Sequence, residues 1–157
     1  MGHARSLLDA PIRALGLHEP VSVAPGTSVG ACLEAIERGG VGDSVMVRDA
    51  DGRLAGVLTE RDVFARLAGS ATDVAAPVET LMNRVPHTLG MDDPVRAAIA
   101  LMAQGRYRNI PLVDSGGRLL GVVRQQDILA FLAESYPQGI LNLPPRPHQR
   151  LKEQEGA

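Results

Sequence analysis

The chain has 157 residues, 45% hydrophobic and 22% charged, without Trp, so it can bury an aliphatic core as one domain or as two half-domains sharing that core. Sixteen Lys and Arg against eighteen Asp and Glu leave a net charge of −2, which gives a nucleic-acid backbone no electrostatic footprint. The lone cysteine, Cys32, excludes an intrachain disulfide and a zinc framework, and with no run near the ~20 apolar residues of a membrane span and no signal-peptide pattern at the start, the expected location is the cytoplasm, without membrane insertion.

The first regular signal is a β-prone stretch at 21–23, followed by a Pro/Gly turn. A helix is predicted next: Thr27 or Ser28 can cap it, Val29, Cys32, Leu33 and Ile36 form its apolar stripe, and Gly39-Gly40 stops it. The Gly-rich run 39–43 lacks the Lys-Ser/Thr of a P-loop and reads as that helix stop. Two apolar runs, 44–47 and 54–58, flank an Asp/Gly turn and predict a hairpin. A short helix carrying Val63, Phe64 and Leu67 closes the series.

After a linker and lead-in helix over 71–82, the same order returns. A β-prone stretch at 87–89 leads to a helix with Asp92 or Asp93 as cap, Pro94 in its first turn and a stripe of Val95, Ala98, Ile99 and Met102. A second hairpin, 110–113 with 119–123, precedes a helix carrying Ile128, Leu129 and Leu132. Asp49/Asp114, Gly52/Gly117, Arg53/Arg118, Leu54/Leu119, Gly56/Gly121, Val57/Val122 and Asp62/Asp127 are identical pairs 65 residues apart. The unit is therefore β-α-β-β-α, written twice, and one copy alone would leave a sheet face uncovered. The tail, 135–157, mixes apolar residues with prolines and fits either an extended arm laid on a neighbour or a disordered end.

Gly56-Val57-Leu58-Thr59-Glu60-Arg61-Asp62 after a hairpin, with Asn109-Ile110-Pro111-Leu112-Val113-Asp114 in the second copy, resembles the CBS domain family over about residues 17–134. The resemblance implies an α+β fold of two tandem CBS motifs, 17–70 and 83–134, packed about a pseudo-two-fold axis as a stand-alone CBS pair, or Bateman module. Segments 1–16 and 135–157 lie outside it. It also implies a regulatory module with two three-stranded sheets and clefts for an adenine nucleotide or related adenosyl ligand (AMP, ADP, ATP or S-adenosylmethionine). No catalytic cofactor is implied. A homodimer and an unidentified regulated protein complete the expected partners.

By that resemblance the first cleft combines Thr59, Arg61 and Asp62 with Thr88, Arg108, Asn109, Ile110 and Pro111. Thr59 stands at a strand end and helix start, where free N–H groups favour a phosphate, and Asp62 can accept hydrogen bonds from both ribose hydroxyls. Ile110 and Pro111 would wall the adenine, and Arg106, Arg108 and His87 are candidate phosphate contacts. The second cleft would gather Val21, Ser22, Val23, Ser44, Val45, Met46, Arg124 and Asp127, with Asp43 repelling phosphates. There Arg124 replaces Thr59, and it either meets a ligand phosphate or fills the pocket and pairs with Asp127.

Two alternatives stand beside this reading. Thr59-x-x-Asp62 is also the pattern of a capping box, in which the two side chains only satisfy their own helix. On that view the chain is a ligand-free dimerisation or docking scaffold. Catalysis is not expected, because the sequence offers no nucleophile with a base and no metal constellation; His3, His18, His87 and His148 are scattered.

Overall fold

A computed structural model describes residues 6–39, 43–69, 73–105 and 107–135. Arg106, Gly40, His3, His148 and the tail from 136 onward lie outside the described residues. In the first half, β1 (Ser22–Val23), α1 (Val29–Gly39), β2 (Ser44–Arg48), β3 (Leu54–Thr59) and α2 (Glu60–Gly69) follow in order. The second half holds α3 (Val95–Ala103), β4 (Asn109–Val113), β5 (Leu119–Arg124) and α4 (Gln125–Glu134). No helix among these is long and apolar enough to cross a membrane.

Ser28 caps α1, its Oγ accepting the Ala31 N–H at 3.1 Å. The predicted aspartate cap of α3 is not formed. Pro94 occupies the cap position, and Asp93 instead accepts the Gly90 N–H at 2.7 Å, in the turn before the helix.

β1 runs parallel to β2, which pairs antiparallel with β3. The second sheet departs from the expected three strands: β4 and β5 pair, and the predicted strand at 87–89 is reduced to a parallel bridge from Leu89 to Leu112. Pro111 is the reason. In the first half the Met46 N–H donates to the Val21 carbonyl at 2.8 Å, and Pro111, the equivalent of Met46, has no N–H to give.

Strand alternation sorts the side chains. Val45, Val47 and Leu58 face α1 and α2 in the first core, and Ile110, Leu112 and Val123 do the same in the second. Met46, Val57, Leu119 and Val122 point the other way and are buried where the two sheets meet. The hairpin turns also join across that boundary: Leu54 N–H donates to the Gly117 carbonyl at 3.0 Å and Leu119 N–H to the Gly52 carbonyl at 2.9 Å. Gly52 and Gly117 both adopt positive φ, 84° and 83°, which a side chain would resist.

The lead-in segments are exchanged between halves, a feature the sequence reading missed. A 3-10 turn at Ile12–Ala14 precedes the first repeat yet buries Ile12 and Leu15 in the second half's core, with Ile12 N–H bonded to the Asp93 carbonyl and Val95 N–H to Ala10. Its counterpart, Val78–Thr80, precedes the second repeat and buries Val78 in the first half's core, with Val78 N–H bonded to Thr27 and Val29 N–H to Ala76. Downstream of each turn a residue then bridges a sheet edge, Asn83 to Val57 and His18 to Val122. Gly56 makes the first of these bridges possible, since a Cβ there would lie 2.7 Å from Met82 Sδ and 2.9 Å from the Asn83 carbonyl.

Candidate functional site

Strand β3 ends on the face between the sheets and α2 starts at once, so Thr59, Arg61 and Asp62 reach one cleft. That cleft holds a cavity of about 310 Å³. Of the residues expected there, Thr59, Arg61, Asp62, His87, Arg108, Asn109 and Pro111 line it. Thr88 does not, being exposed outside it. Ile110 does not either: its side chain is 0% exposed in the second core, because alternation along β4 turns Ile110 away from the face that Asn109 and Pro111 share. The adenine wall assigned to Ile110 therefore falls to Pro111 and to Val57, on the same inter-sheet face.

Besides Val57, five further lining residues were not assigned to this cleft by the sequence: Pro86 and the following four. Asn83 arrives with the exchanged lead-in. Tyr107 packs edge-on against His87, ring centroids 5.4 Å apart at 77°, forming an aromatic rim. Ser44 lies at the start of β2. Asp43, expected to repel phosphates in the second cleft, lines the first instead. There its Oδ1 accepts the Asn109 Nδ2–H at 2.8 Å and its Oδ2 lies 3.9 Å from Arg108 Nε. The physical cause is the pseudo-two-fold axis, across which the start of β2 meets the start of β4. A wider polar recess of about 560 Å³, bounded also by Glu60, Gln125 and Gln126, adjoins the cavity.

The capping box is formed. Thr59 N–H donates to Asp62 Oδ2 at 3.0 Å, and Asp62 N–H donates to Thr59 Oγ1 at 3.1 Å. The Glu60 N–H is also taken, by the Asp43 carbonyl at 2.8 Å. The start of α2 thus has fewer open N–H groups than its sequence position suggests. A cap of this kind uses one carboxylate oxygen and one hydroxyl lone pair. It leaves Asp62 Oδ1 and the Thr59 hydroxyl proton without partners among the described residues, and both residues line the cavity.

The second cleft differs. Val21, Ser44, Met46 and Arg124 line a smaller cavity of about 220 Å³. Ser22, Val23, Val45 and Asp127, expected there, do not: Val45 and Val23 point into the first core, Ser22 is exposed at the sheet edge, and Asp127 is enclosed against Arg124. Asp127 Oδ2 accepts the Arg124 backbone N–H at 2.9 Å, so half of the cap persists although arginine has no acceptor to return the bond. The Arg124 guanidinium lies on Asp127, Nη2 to Oδ1 at 3.1 Å and Nε to Oδ2 at 3.3 Å. Arg124 is thus paired with Asp127, beside the cavity that remains.

Cys32 belongs to neither cleft. Burial pushes its thiol up, and the Glu79 carboxylate adds to the effect. Among the described residues no group of three His, Cys, Asp or Glu could hold a metal ion.

Two repeats close a pair of pseudo-symmetric clefts, and comparison with known proteins gives the family. The CBS domain model matches residues 12–69 and 78–134, and the chain belongs to the CBS domain family. An uncharacterized 17.7 kDa protein of Acidianus ambivalens is 29% identical over 112 residues, 71% of this chain and 66% of that protein. The chain spans less than half of the next two curated relatives. Among solved structures, a CBS-domain containing protein from Agrobacterium tumefaciens superposes with a TM-score of 0.68 at 26% identity, covering 79% of this chain and 94% of that one. A CBS domain protein from Pyrobaculum aerophilum, solved in complex with AMP, gives 0.67 at 26% identity over 79% and 98%.

Proposed function

We propose that the chain is a ligand-sensing regulatory module that takes an adenosyl ligand in the first cleft. One observation carries this reading: the first cleft is open, and its capping carboxylate keeps Asp62 Oδ1 unbonded at the cavity, whereas Asp127 has both oxygens occupied. Asp62 Oδ1 accepts from the ribose hydroxyls. Pro111 and Val57 contact the base, and Thr59, Arg61 and Arg108 meet the phosphate or its equivalent. The AMP complex of the Pyrobaculum aerophilum relative supports the ligand class. A ligand that prefers one relative orientation of the two halves shifts the population toward it, and a partner protein reads the shift.

The module acts as a homodimer. Phe64 and Leu129 stand at equivalent points of α2 and α4, 67% and 63% exposed, beside the exposed Leu67, and form an apolar face that a second copy covers. Phe64→Glu with Leu129→Glu then yields a monomer in sedimentation.

Calorimetric titration with AMP, ATP, NAD and S-adenosylmethionine tests the ligand. Saturable binding of at least one is expected, weakened about ten- to a hundredfold by Asp62→Ala, as removal of one or two hydrogen bonds to a charged group requires. Absence of any saturable heat at millimolar ligand would establish the scaffold reading.

A further inference from the structure

The second cleft contains a three-residue cluster that replaces the first cleft's open groups. Arg124, Asp127 and His18 stand where Thr59, Asp62 and Asn83 stand in the first. His18 Nε2 is 2.7 Å from Asp127 Oδ1 and 2.6 Å from Arg124 Nη2, so the ring lies against both members of the ion pair. The pair is enclosed: the Arg124 side chain is 16% exposed and that of Asp127 7%.

We infer that the Arg124 guanidinium is an internal occupant of the second cleft, seated on Asp127 and held there by His18, and that it excludes the adenosyl ligand which the first cleft accepts. The inference rests on the reading of the first cleft given above. It follows from three features. Both Asp127 oxygens already accept hydrogen bonds, Oδ2 from the Arg124 backbone and Nε, Oδ1 from Nη2, and His18 Nε2 at 2.7 Å covers the remaining side of Oδ1 that ribose hydroxyls would use. The cavity is about 220 Å³ rather than 310 Å³. A ligand must also pull an enclosed guanidinium from an enclosed carboxylate, which lowers affinity by about a hundredfold or more.

His18 is a positioning residue. With its proton on Nδ1 the ring accepts from Arg124; with a proton on Nε2 it donates to Asp127. In both forms it closes the outer side of the pair. His18 arrives on the exchanged lead-in, whose carbonyl accepts the Val122 N–H at 3.2 Å, so the occupant of the second cleft is held by chain from outside its own repeat.

Equilibrium dialysis of the full chain with AMP, and in parallel with S-adenosylmethionine, counts the sites. The wild-type chain is expected to take one ligand. Combining Arg124→Thr with His18→Asn gives the second cleft the first cleft's side chains and raises the count to two, and adding Asp127→Ala returns it to one. His18→Asn alone loosens the plug and gives a weak second site. Two ligands on the wild-type chain, or no gain for the double variant with either probe, overturns the inference. If the wild-type chain takes none and the double variant takes one that Asp127→Ala removes, the plug stands and the first-cleft reading falls. A wild-type readout guards against a variant that does not fold: at the ligand concentration that saturates the first cleft, the His18 ring nitrogen resonances stay in place, and movement comparable to that of His87 refutes the plug.

Discussion

At the end of β3 the chain carries Thr59, and at the end of β5 it carries Arg124; both are followed three residues later by an aspartate that accepts its own strand-end N–H. The first aspartate finishes with an oxygen to spare, the second with none. Duplication preserved the part of the motif that builds the strand-to-helix junction, while the part facing the cleft diverged. The same Asp can therefore be a structural cap in both halves and a ligand group in one. Cap and site are not rival readings of Thr59 and Asp62, because the cap takes one carboxylate oxygen of Asp62 and one lone pair of the Thr59 hydroxyl and leaves Asp62 Oδ1 and the Thr59 hydroxyl proton free.

The largest effect tests what the halves share. Ile12 and Val78 are fully buried in the half that does not follow them in sequence. Ile12→Ala is expected to cost about 3–4 kcal/mol and Val78→Ala about 2–3 kcal/mol in urea unfolding, as cavities at fully buried sites do. An Ile12→Ala loss below 1 kcal/mol would mean that the lead-in of the first repeat is not docked in the second half, and the symmetry of the exchange would be broken.

A somewhat smaller effect sharpens the contrast between clefts. Asp127→Ala strands a guanidinium that is mostly enclosed, at a cost of about 3 kcal/mol, whereas Asp62→Ala removes a cap worth about 1 kcal/mol. The two substitutions should exchange rank between assays: Asp127→Ala lowers the melting temperature more, and Asp62→Ala weakens ligand binding more. The same rank in both assays would show that the two aspartates do one job.

The repeat, its β-α-β-β-α order and the seven identical pairs were legible because local periodicity and turn chemistry specify local elements. The exchanged lead-in was legible too, in principle. Ala10-Pro11-Ile12 with Leu15 and Ala76-Pro77-Val78 with Leu81 share one pattern, but their spacing is 66 residues rather than 65, and a self-comparison at a single offset passes over it. Which cleft a side chain enters was harder. Asp43 precedes β2 by one residue, and its direction depends on how β2 and β4 meet at the axis, a tertiary relation with no local signature. Ile110 was assigned with Pro111 to one wall although neighbours in a strand face opposite ways; alternation alone would have separated them. His18 carried no signal in one dimension, since its two partners lie 106 and 109 residues away.

The smallest effect distinguishes the two halves at a position where the sequence has them identical. A methyl at Gly56 would meet Met82 Sδ at 2.7 Å and the Asn83 carbonyl at 2.9 Å, while a methyl at Gly121 would meet the His18 carbonyl at 3.3 Å and Leu17 Cβ at 4.0 Å. A side-chain sulfur can swing aside, but the Asn83 carbonyl is fixed by its bond from the Val57 N–H at 3.0 Å. Gly56→Ala is therefore expected to cost about 2 kcal/mol and Gly121→Ala less than about 1 kcal/mol, the difference being overpacking against backbone on one side only. Because Asn83 and Val57 both line the first cleft, Gly56→Ala should also weaken ligand binding, and Gly121→Ala should leave it unchanged. Equal losses of stability from the two alanines would indicate that the lead-ins approach their sheet edges equally closely, and the asymmetry between the halves would then be confined to Arg124 and its two partners.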